Sequence, residues 1–216
     1  MNSVVAGLVG VVLGGSIGII KDYIAHRAGR KRRGHYAAVR IVCVLDEYIE
    51  GCVEVVGDDG TSMGSPAGRT SSGEEFYEPQ VQPPPPPSFA NDIDWTSLDP
   101  TLMYRILALP NRAKETDRII SGRAEHSYPP YYDEIFDARQ EGFTDLGLEA
   151  LSIADQLRRD FKVAKRMSAL GSRESEVRDI LETERAAIET RRSEIQFEKE
   201  ELLRELSEGH HRPVKG

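Results

Sequence analysis

From Ser3 to Ile20 the chain carries no charged residue and no proline. As a helix these 18 residues span about 27 Å, the short end of what crosses a bilayer. Lys21 and Asp22 follow, then Tyr23, a residue suited to the membrane interface. The spacing predicts a transmembrane anchor over residues 1–25. A cleaved signal peptide fits less well, because Met1-Asn2-Ser3 offers no side-chain charge and the arginines come after the apolar run. A helix lying on a surface is the remaining alternative.

Charge orients the segment. Residues 1–40 hold Lys21, Arg27, Arg30, Lys31, Arg32, Arg33 and Arg40 against Asp22 alone. That part therefore carries +6, and the formal net charge of −8 leaves −14 on residues 41–216. Basic residues close behind a membrane segment stay on the cytoplasmic side. The expectation is a single-pass protein of the cell (inner) membrane, N-terminus outside and C-terminal body in the cytoplasm. Arg30, Lys31, Arg32 and Arg33 are the candidates for contact with anionic lipid headgroups. The acidic body argues against nucleic acid as a partner, since phosphate binding needs a basic face. Arginine outnumbers lysine about three to one, a usage common in GC-rich bacterial genomes.

Within the anchor, Ala6, Gly10, Gly14 and Gly18 recur every four residues. On a helix they form a groove of small residues, the pattern that lets membrane helices approach closely. This predicts a homo-oligomer through the N-terminal helix, against the simpler reading that glycine is common in such helices.

The expected fold class is all-α. Residues 26–56 read as a basic collar and an amphipathic helix, with Ala38, Ile41, Val42, Leu45, Ile49, Cys52, Val53 and Val56 on one face. A strand over 40–45 is the alternative, given the β-branched content. Residues 57–93, rich in Gly, Ser and Pro, predict a disordered linker. Its run Pro83 to Pro87 reads as a stiff spacer or as a ligand for an aromatic groove.

Residues 94–165 predict a small helical bundle. Asp99-Pro100 is a helix start, and Pro110 is expected to end that helix and open the next. A longer helix carries Ile135, Phe143, Leu146, Ala150, Leu151, Ala154 and Leu157, with Gly142 and Gly147 weakening but not stopping it. Residues 166–208 predict a charged, partly heptad helix, with Leu181, Ile188, Ile195 and Leu202 seven apart. The second heptad row is mostly charged, so the choice lies between a weak coiled coil and a solvated helix held by i,i+4 pairs. Residues 209–216 predict a disordered tail.

Chemistry is sparse. Cys43 and Cys52 lie on opposite sides of one helix and read as packing residues in a reducing compartment, or as a bridge between parallel copies. Glu125, His126, Asp133 and Glu134 could hold a metal or do acid–base work, although Asp133 and Glu134 equally suit a helix N-terminus. Tyr128, Tyr131 and Tyr132 suggest core packing or an aromatic patch, and His210-His211 a tail. No catalytic residue, cofactor or metal is assigned. The expected role is a membrane-anchored, non-enzymatic helical interaction or scaffold protein with a cytoplasmic protein partner. The alternatives are a glycine-zipper pore or toxin-like protein, and a metal-dependent enzyme using the Glu125/His126/Asp133/Glu134 cluster.

Overall fold

The computed structural model describes the backbone of residues 2–125, 127–129, 132–168 and 171–209, and side chains from His26 to Arg204 within those limits, except at 168 and 171. The protein is mostly helical. Helix α1 (Asn2–Val56) is followed by a short antiparallel hairpin, β1 (Gly68–Arg69) and β2 (Glu75–Phe76). A 3-10 turn (Trp95–Ser97) leads into α2 (Pro100–Ala124) and α3 (Asp133–Phe161). A second hairpin, β3 (Met167–Ser168) and β4 (Gly171–Ser172), opens into α4 (Arg173–Gly209).

Helix α1 is one uninterrupted element of 55 residues, about 80 Å long. Its first half contains the uncharged run, and its second half is a structural column of the body. Ala38, Ile41, Val42, Leu45, Ile49, Cys52 and Val56 are all buried, so the amphipathic face expected over 35–56 is a helix face and not a strand. Burial at three- and four-residue steps on a single helix gives this column its apolar stripe. Among the described residues no helix is long and apolar enough to cross a membrane. The side chains of Ser3 to Ile20, where the spanning segment is expected, lie outside those described.

One core joins segments that the sequence divides. It contains residues of α1, Ile93 and Leu98 before α2, Leu102, Ile106, Leu109 and Ala113 of α2, Phe143 to Leu157 of α3, and Val177 and Leu181 of α4. Helix α3 lies antiparallel to α1, since Phe161 meets Gly34 at one end while Arg139 meets Asp58 at the other. It is antiparallel to α4 as well, with Arg178 on Asp155 and Arg192 on Glu141. Close approach is built from glycine. A Cβ at Gly34 would lie 2.4 Å from the Phe161 ring, and one at Gly147 2.9 Å from Leu181. Gly34 of α1 thus admits the Phe161 ring of α3, and Gly147 of α3 admits Leu181 of α4.

Three expectations are corrected. Residues 57–93 are not a free linker but a strap laid along the body. Asp58 is buried, accepts from the amides of Gly60, Gln80 and Val81, and pairs with Arg139 at 3.2 Å. Gly60 takes φ +73°, and its missing side chain leaves room for the Phe136 ring. Pro84 sits against Gly51, where a Cβ would come within 2.6 Å, and Pro87 is buried. Composition suggested flexibility, yet a few well-spaced anchoring groups suffice to order the segment.

The second correction concerns Pro110, which lies inside α2 rather than ending it. The ring removes one backbone donor, but Ile106, Leu109 and Ala113 are buried on either side and hold the helix to the core. The start is as expected, with the Asp99 carboxylate accepting from Thr101 N at 2.9 Å and Leu102 N at 3.1 Å. The third correction is to the heptad row, which divides. Leu181 and Ile188 are buried, whereas Ile195 and Leu202 are 63% and 61% exposed. The first half of α4 is a bundle helix packed on α3, and the second half extends past it.

Candidate functional site

The basic collar occupies α1 from Arg27 to Arg40, where the helix enters the body. Here the structure divides the four residues expected at lipid headgroups. Arg30 Nη2 donates to the Thr96 carbonyl at 2.9 Å, and Arg33 Nε donates to Asp94 Oδ2 at 2.9 Å. Two turns further along, Arg40 pairs with Asp92 at 2.7 Å. The turn of residues 92–97 is thus clasped to the collar through its acidic side chains. The bond from Thr96, helped by that from Arg33, holds the Asp94 carboxyl below its ordinary range, and the bond from Arg40 does the same for Asp92. These groups are exposed, so the pairs orient the turn more than they stabilise it. Lys31 and Arg32 are exposed and make no ion pair among the described residues.

The partners of Arg30 and Arg33 are more than 60 residues away in sequence, and no local spacing reveals them. Ala6, Gly10, Gly14 and Gly18 lie on the helical backbone of α1, and their environment lies outside the described residues.

Deeper in the body, two arginines cross-link the helices. Arg158 of α3 places Nη2 2.8 Å from both oxygens of Asp46 in α1 and 3.2 Å from Glu174 at the start of α4. Burial raises the proton affinity of Asp46, with Arg158 opposing. Burial acts likewise on Glu174, but hydrogen bonds from Ser172 and the Arg166 amide outweigh it and hold Glu174 below the usual carboxylate range. Glu50 takes both Arg173 and Arg166, and its pKa is lowered chiefly by the bond from Arg173. These pairs tie α4 and its hairpin to α1.

The proposed metal cluster is not assembled among the described residues. Asp133 and Glu134 occupy the first turn of α3, where acidic side chains favour the helix dipole, and Glu134 pairs with Arg123 at 3.2 Å. His126 lies outside the described residues, as do Tyr131, His210 and His211. No group of three or more His, Cys, Asp or Glu suited to a metal ion occurs among the described residues. Cys52 is buried, which pushes its thiol pKa well up and leaves it a packing group, while Cys43 is exposed. Tyr128 is exposed, and Tyr132 packs edge-on against Phe76.

Several clefts open among the described residues, and two of them bear on the residues above. One of about 1010 Å³ lies between α1 and the proline run, lined by Cys43, Glu47, Gly51, Glu54 and Pro83 to Pro87. The other, of about 550 Å³, is bounded by α2, α3 and α4 and lined by Arg112, Arg123, Asp137, Glu141 and Arg192 among others. Among the described residues neither is lined by a histidine. The proline run, read from sequence as a spacer or a ligand, here forms the wall of a groove.

No protein-family model, curated protein or solved structure matches this chain.

Proposed function

We propose that this chain is a membrane-tethered, non-enzymatic scaffold, held by residues 1–25 in the cell (inner) membrane with its helical body on the cytoplasmic side. The observation that carries the reading is the continuity of α1. The uncharged run, the basic collar and the buried column of the core all lie on one helix. A helix that enters lipid at one end and a core at the other holds the body close to the bilayer at a set height and direction, which suits the display of surface to a protein partner. Mutual approach of anchors through Ala6, Gly10, Gly14 and Gly18 would pair such bodies side by side.

The orientation is tested by reporters fused after Gly216. One active only in the cytoplasm is expected to work, and one active only after export is expected to be silent. The scaffold role is tested by capture of the full chain from detergent-solubilised membranes. Stoichiometric cytoplasmic protein should accompany it; recovery of a lone monomer would oppose the reading. Replacing Gly10, Gly14 and Gly18 by Ile should abolish dimer signal in a membrane association assay.

A further inference from the structure

The end of the body nearest the proposed anchor is more basic than the collar alone. Arg27, Lys31, Gly34 and Ala38 are spaced by four, three and four residues and therefore share one face of α1. On that face Gly34 receives the Phe161 ring, Ala38 is buried in the core, and the Phe161 carbonyl lies 2.7 Å from His35 Nδ1. The C-terminal end of α3 thus abuts α1 at Gly34 and His35, one to two turns from Lys31 and Arg27. It carries exposed Arg159 and the cap residue Lys162. None of these four cations has an ion-pair partner among the described residues, whereas Arg33 and Arg40 on a neighbouring face are neutralised by Asp94 and Asp92. Asp160 is the exposed acid within this group.

We infer that Arg27, Lys31, Lys162 and Arg159 form a docking surface for anionic lipid headgroups, on which the body leans its α3 side toward the bilayer. The inference rests on the tether proposed above. Fourteen residues separate Ile20 from Gly34, about 21 Å along the helix. The headgroup layer accounts for several ångströms of that, and the screening length of about 8 Å covers much of the rest. The favourable position of cations at a helix C-terminus explains Arg159 and Lys162 in part. It does not explain Arg27 and Lys31, which lie in mid-helix on the same face.

The test uses the full chain reconstituted into vesicles, carrying Cys43→Ser and Ala164→Cys with a fluorophore on the new thiol, and an acceptor dye on the lipid headgroups. Cys52 is buried and escapes labelling. Energy transfer should be about twofold higher in vesicles rich in phosphatidylglycerol than in phosphatidylcholine. Molar salt should remove the difference. The variant Lys31→Gln/Arg159→Gln/Lys162→Gln should lose it too, with circular dichroism unchanged. Equal transfer in both lipids, from protein that floats with both, overturns the docking surface and leaves the tether intact. Protein that floats only with the anionic vesicles, and is stripped by salt, supports the surface and removes the tether. Protein that floats with neither removes both.

Discussion

Arg139 and Asp58 meet inside the protein at 3.2 Å, their side chains only 6% and 3% exposed, though 81 residues separate them in sequence. The same arginine donates to the Val81 carbonyl at 2.6 Å. One side chain of α3 therefore closes both ends of the first part of the strap. Removing either partner leaves an uncompensated buried charge, which costs about 3–5 kcal/mol. Asp58→Ala should cost the more, because three backbone amides lose their acceptor as well. Urea unfolding of Asp58→Ala and Arg139→Met measures both. A loss under 1 kcal/mol in each would contradict the latch.

The glycines of the helices should respond to alanine with opposite signs. At Gly51 a Cβ meets the rigid Pro84 ring at 2.6 Å, so Gly51→Ala should destabilise by about 1–3 kcal/mol despite better helix propensity. At Gly122 nothing lies within 4 Å. There Gly122→Ala should stabilise by up to about 1 kcal/mol. Thermal or urea unfolding of the pair checks the difference, which vanishes, with Gly51→Ala stabilising as well, if the proline run does not rest on α1.

Lys162 holds φ +58° and ψ +40° at the C-terminal cap of α3, a left-handed conformation that glycine adopts without cost. Lys162→Gly should therefore leave stability unchanged or raise it by up to about 1 kcal/mol. A loss of that size would show that the residue is not left-handed in solution.

Acid should loosen α4 from α1. The bond from Arg173 lowers the pKa of Glu50 below its ordinary 4.5. The unfolded chain then binds its proton first, so the stabilisation is present above about pH 4.5 and lost as the pH falls through the folded value. Glu174 acts in the same sense, while Asp46, raised by burial, acts in the opposite one. Denaturant midpoints from pH 6 to pH 3 should fall in the native chain, and Glu50→Gln should flatten that fall.

Helix α4 should tolerate change unevenly. Leu181→Ala empties a fully buried site and should cost about 2–5 kcal/mol. Ile195→Ala and Leu202→Ala, on the exposed half, should each shift the monomer by less than about 0.5 kcal/mol. Sedimentation of the same two variants tests whether that half pairs with another helix.

What could be read from the sequence was local. The apolar steps from Ala38 to Val56, the Asp99-Pro100 start and the tolerance of α3 for Gly142 and Gly147 all depend on neighbours a few residues apart. The strap could not be read, because its order comes from Arg139 and Gly51, far from the prolines and glycines that make the segment look loose. Pro110 misled for the same reason: burial of Ile106 and Ala113 against other helices outweighs one lost backbone bond. At the collar, the excess of seven cations over one acid in residues 1–40 was plain, but which arginines are spent on Asp92, Asp94 and Thr96 depends on how the strap returns to α1.

The measurement that bears most directly on the tether is alkaline extraction of membranes from cells making the full chain. Retention in the pellet after carbonate washing, with release only by detergent, is the predicted result. Recovery of intact protein in the supernatant without detergent would contradict it.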